Sequence, residues 1–232
     1  MKKTVWIPPL ALTCGLAGVA AGLLRWRLLS TGADHKGLLE AGHPLGILSW
    51  ILTAAVVALV AGVLWKHRKA ELTLRAAPGS EVARIVALAL AALALWGHTR
   101  LESAAAIAAV VAAAAALVRL LLGKKQLSPA FADIPALLFY LLCLLALYRG
   151  WSSEPEVQRY AFSLLALVCL MFATYFRSAA ALGMEKCPLF LGCGFLGVYF
   201  SFAAAADPGF TGMFLAMGVW MLWQLGAVAE EA

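Results

Sequence analysis

Residues 44–65, PLGILSWILTAAVVALVAGVLW, decide the fold. The stretch carries no charge from end to end, and about 20 mostly apolar residues are what an α-helix needs to cross a hydrocarbon core of roughly 30 Å. Its apolar residues run on without the two-residue alternation of a barrel strand, so a helix is indicated. Proline at its first position gives up no helical hydrogen bond. The basic run Lys66-His67-Arg68-Lys69 then closes it at the headgroup boundary.

Outward from this segment the chain repeats the pattern. Of its 232 residues 64% are hydrophobic and 13% charged, with a mean hydropathy of +0.90, against roughly 45–50% and about 25% in a soluble domain. Eight apolar spans are expected at about residues 5–24, 44–65, 84–99, 103–122, 133–149, 159–177, 187–206 and 208–229. The fold class is therefore all-α, a polytopic integral membrane helical bundle over residues 1–232 as a single transmembrane domain. Seven spans remain if the first is a cleaved signal peptide or if the 84–123 hairpin is re-entrant. The first apolar run is longer than the 7–15 residues of a signal peptide and ends in Arg25-Trp26-Arg27, which favours an uncleaved span. In the short third span, Arg84 and Arg100 are expected to snorkel to the two surfaces.

Loops that carry Lys and Arg tend to face the cytoplasm. With the N-terminus inside, twelve of the 18 basic residues fall on that side, from Lys2 and Lys3 to Arg177 and Lys186. Both termini are thus expected to be cytoplasmic, in a plasma membrane of bacterial type. The net charge of +6 is spread along membrane edges and forms no groove-sized patch, so no nucleic-acid partner is implied.

Small residues mark packing seams, because lipid supplies no hydrophobic drive between helices and close approach must supply the contact. Gly18 and Gly22 form a GxxxG, residues 104–116 are almost wholly Ala, and Gly192, Gly194 and Gly197 line the seventh span. Packing inside the bundle is the expected use, and the oligomeric state is left open. The cysteines Cys14, Cys143, Cys169, Cys187 and Cys193 have neither CxxC nor zinc spacing and are read as packing residues without disulfides.

Candidate chemistry gathers on the outer side. The connection DHKGLLEAGHPLG, residues 34–46, places Asp34, His35, Glu40 and His43 there, with His98 and Glu102 in the hairpin between the third and fourth spans. A polar ligand-binding rim of Arg25, Asp34, His35, Glu40, His43, Arg149 and Trp151 is expected. Imidazole and carboxylate ligands also make His35, His43, His98 and Glu102 a candidate divalent-metal set. Equally, the glycines of 34–46 suit an ordinary structured turn. Within the spans no ionisable residue is expected near the bilayer midplane, where coupled transporters usually keep one. P-loop, GxSxG, HExxH and Rossmann motifs are all missing from the sequence, and no enzyme activity is implied.

Three function classes remain. The first is a non-enzymatic module that binds or transports a small uncharged or amphipathic molecule through the outward polar site. The second is a redox anchor. Leu24-Arg25 and Tyr148-Arg149 would end spans one and five on the same face, a hint of two four-helix halves. In that topology alone the chain is similar to the quinol-oxidising membrane anchor subunits of molybdenum oxidoreductases, and the resemblance implies quinone or haem as the cofactor. A haem would need two axial histidines, for which His43 and His98 are the candidates. The third class is a scaffold or accessory subunit whose outer loop docks an extracytoplasmic protein partner.

Overall fold

The computed structural model describes residues 2–3, 6–32, 43–68, 72–74, 79–97, 99–122, 129–151, 160–183, 187–207, 209–226 and 228–230. They form eight helices: α1 (Ile7–Thr31), α2 (Pro44–Lys66), α3 (Ser80–Leu95), α4 (Arg100–Leu122), α5 (Pro129–Trp151), α6 (Ala161–Ala181), α7 (Cys187–Ala204) and α8 (Thr211–Leu225). Six of them, all except α3 and α8, are long and apolar enough to cross a membrane. The chain is a helical membrane bundle. At 1.5 Å per residue, the 16 residues of α3 and 15 of α8 reach about 24 and 22 Å, short of a hydrocarbon core. These two pack on each other instead of standing alone in lipid.

Helices α3 to α8 close a ring in which each packs on the next and α8 returns to α3; α1 and α2 lie outside it, with α1 along α7 and α2 against both. This corrects the expectation of two four-helix halves. The grouping follows from where backbones can approach. At Gly18 an added Cβ would sit 2.5 Å from the Tyr199 carbonyl oxygen, and at Gly22 2.7 Å from that of Phe202. Only hydrogen fits there, so the GxxxG of α1 is spent on α7 within the same chain. Inside the ring stand large side chains with almost no exposure, among them Phe139, Tyr140, Phe214 and Trp220, and the Tyr140 hydroxyl donates to Met217 Sδ at 3.4 Å. Between α2 and α7 the hydroxyls of Thr53 and Tyr199 share a hydrogen bond of 2.8 Å. All five cysteines are free thiols.

An all-helical chain was expected, and three very short strands are also present: β1 (Lys2–Lys3), β2 (Leu72–Leu74) and β3 (Val228–Glu230). They pair antiparallel in the order β1-β3-β2, with Lys3 opposite Ala229 and Thr73 opposite Ala229 on its other side. Pairing satisfies backbone groups of the segments that flank the helices, where unmet N–H and C=O groups are costly. It also brings both termini and the α2–α3 connection to one end of the bundle, here the terminal end; the other is the far end.

The helices run beyond the expected spans. Helix α1 continues to Thr31 instead of stopping near residue 24, α5 begins at Pro129, and α6 runs to Ala181. Arg25 is carried into a helix as a result, and Asp133 and Arg177, expected at the very ends of their spans, stand a turn inside their helices. Arg84, expected to snorkel to a surface, is 1% exposed. His67, expected in a solvated basic run, stacks on Trp6 with ring centroids 4.5 Å apart.

Candidate functional site

Two sets of buried charges sit at opposite ends of the bundle. At the terminal end, Glu81 and Arg84 from the first two turns of α3 meet Arg119 near the end of α4, Asp133 near the start of α5, and Arg177 and Ser178 near the end of α6. Asp133, fully buried, is the hub. Its Oδ1 takes the Arg84 Nη1 at 2.7 Å and the Arg177 Nη2, and its Oδ2 accepts from the Ser178 hydroxyl at 2.6 Å. Arg84 Nη2 donates to the Ala132 carbonyl at 2.8 Å, and Arg119 Nη1 meets Glu81 Oε1 at 2.6 Å. Below them the Trp220 ring of α8 faces the guanidinium carbons of Arg84 and Arg177 at 5.7 and 5.5 Å. Five of the six ring helices are therefore tied together by charge or cation–π contact.

Charged residues such as these are expected at or near span ends, where a side chain can reach water. Their depth, within five residues of an end, agrees with that; their direction does not. They occupy the same helical phase as the buried seam of their own helix and so point into the ring.

At the far end, Arg25 continues the Gly18–Gly22 seam by one turn and reaches the junction where α7 gives way to α8. Its Nη2 donates to Asp207 Oδ1, the Ser163 hydroxyl donates to Asp207 Oδ2, and the guanidinium lies 4.7 Å above the Phe162 ring. Trp50 of α2 packs on the same ring at 5.2 Å. Arg25 and Asp207 are 3% and 6% exposed, so Arg25 is a buried ion-pair partner and not an open rim residue.

Beside this pair a groove of about 780 Å³ runs between α1, α7 and α8. Its walls are apolar, with Val19, Leu23 and Trp26 on one side and Phe202, Ala206 and Leu215 on the other, and Ser30 and Thr211 are hydroxyls at its far-end level. Both hydroxyls donate to backbone carbonyls, of Arg27 and Asp207 respectively, which leaves their oxygens able to accept.

Of the other expected site residues, His43 is the N-cap of α2, and its Nδ1 accepts from the Leu45 N–H at 3.3 Å. Gly32 comes close to its ring. Glu102 lies in the first turn of α4, whose N-terminal N–H groups are met in part by the Thr99 hydroxyl at 3.2 Å. Arg149 is in the last turn of α5. Asp34, His35, Glu40 and His98, and the side chain of Trp151, lie outside the described residues. Among the described residues no three His, Cys, Asp or Glu come together as a metal site. Compared with protein-family models, curated proteins and solved structures, the chain matches none.

Proposed function

We propose that this integral membrane protein binds a small uncharged or amphipathic molecule in the groove between α1, α7 and α8. The apolar part of the molecule lies along Val19, Leu23, Phe202 and Leu215. Its polar head stays at the level of Ser30, Thr211 and the Trp26 indole, the wet end of an interfacial aromatic. The observation that carries this reading is the groove itself: about 780 Å³, apolar along its length and hydroxylated at one end, within the size range of small-molecule sites. The Arg25–Asp207–Ser163 set supports it by fixing α1 to the α7–α8 junction, so that the walls are held apart and not collapsed onto each other.

Photolabelling tests the proposal. A monoacylglycerol bearing a diazirine in its chain is added to the protein in nanodiscs, crosslinked, and mapped by peptide mass spectrometry. Labelling is expected to concentrate on residues 19–30, 202–206 and 211–215, to saturate, and to fall at least tenfold when Ala206→Phe fills the groove. Non-saturable labelling spread equally over the exposed face of α2, at Ile47 and Ile51, would overturn it.

A further inference from the structure

Among the described residues, the ion network at the terminal end has one positive charge in excess. Three guanidiniums, of Arg84, Arg119 and Arg177, face two carboxylates, of Glu81 and Asp133, and all five side chains are at least nine-tenths buried. An arginine in a protein keeps its proton, so the excess cannot be relieved by titration. A buried charge with no counter-charge is strongly disfavoured. Donors are also left over: Arg119 Nε, Arg177 Nε and Trp220 Nε1 are buried with no hydrogen-bond partner, against one acceptor of the network in the same state, Glu81 Oε2, in a class of atom that is nearly always satisfied. The Trp220 ring face offsets part of the charge.

We propose that the network is a binding site for one phosphate group, carried either by free phosphate or by an anionic lipid headgroup. Phosphate supplies the missing negative charge. Its tetrahedral oxygens can accept from donors on several helices, as the unpartnered ones on α4, α6 and α8 are, whereas a planar carboxylate is matched by a single guanidinium fork. Lys2, Lys3, Lys66 and Arg68 belong to the same end of the bundle and raise the local concentration of anions. This site is separate from the groove at the far end and does not depend on it.

The test is a titration of purified protein in maltoside detergent with sodium phosphate, at ionic strength held constant with sodium chloride. Thermal stability is expected to rise with the logarithm of phosphate concentration above Kd, by roughly 5–10 °C at a hundredfold excess over Kd. Arg119→Gln balances the charges at two against two and is expected to abolish the response. The double variant Glu81→Gln/Arg119→Gln removes one charge of each sign, keeps the excess, and is expected to retain it. Arg177→Lys keeps the charge without the fork and is expected to weaken binding at least tenfold. In parallel, nanodiscs of phosphatidylglycerol are compared with phosphatidylcholine. A shift confined to phosphatidylglycerol assigns the group to a lipid, and a shift with free phosphate alone assigns it to a soluble anion. If wild type responds to neither, if Arg119→Gln responds as wild type does, or if Arg177→Lys binds with unchanged affinity, the proposal is overturned.

Discussion

Nη1 of Arg84 lies 2.7 Å from Oδ1 of Asp133, so the fifth residue of α3 and the fifth residue of α5 share a charge inside the bundle. Asp133→Asn leaves Arg84 and Arg177 with a neutral acceptor in a dry site. Breaking a buried pair from one side costs about 3–5 kcal/mol. Unfolding in mild detergent, followed by tryptophan fluorescence, should show this loss, whereas Arg27→Ala, at an exposed position of α1, should leave the midpoint unchanged.

Close approach of α1 and α7 makes a graded prediction for glycine. Gly18→Val puts a side chain where the Tyr199 carbonyl oxygen is 2.5 Å from the first added carbon, and backbone cannot yield as a side chain can. Overpacking of this kind costs roughly 1–3 kcal/mol or more. Gly15→Ala meets only the Phe202 ring and Val198, at 3.6 Å and beyond, and should be tolerated. Gly62→Ala meets nothing within 4 Å and should be neutral or slightly stabilising. The order Gly18, Gly15, Gly62 in thermal stability checks the seam.

Arg25 and Asp207 should be coupled. A double-mutant cycle with Arg25→Gln and Asp207→Asn is expected to give an interaction energy of roughly 0.5–3 kcal/mol, since each single change strands a buried partner. Strict additivity would mean that the pair does not form in the membrane.

His43 and His67 hold their helix ends by different means. His43→Ala removes the α2 N-cap and should cost about 1 kcal/mol, with His43→Asn restoring most of it. His67→Ala removes the stack on Trp6, worth about 0.5–1.5 kcal/mol, and asparagine should not rescue it. Hydrogen exchange in the first turn of α2 reads the cap directly and should respond only to the His43 change.

The helical bundle was legible in the sequence because uncharged runs such as residues 44–65 have no other stable form in lipid. The terminal-end network is written in the helical phase of its residues. Arg119 continues the buried series Ala105, Ala109, Ala112 and Ala116 at spacings of four and three. Asp133 likewise shares its phase with Ala136, Tyr140, Cys143 and Leu147. Distance from the helix end suggested water; helical phase pointed inward, and phase won because a polar group held by partners in the ring has no need of the surface. Arg25 repeats the lesson on the Gly18–Gly22 seam. The grouping of six helices with two outside was not legible, since hydropathy says which residues leave water and not which helix they meet. Nor were the strands, because two or three residues carry no usable period and their partners lie at the opposite end of the chain.

That arrangement of strands gives the protein a built-in order of completion. β3 is the middle strand and the last of the three to leave the ribosome, so β1 and β2 wait without a mate while all eight helices are made. Until residue 228 has been made, β1 and β2 lack the strand that lies between them, and their backbone groups have to be met by water. β3 thus ties β1 to the α2–α3 connection only once every one of these helices has been made.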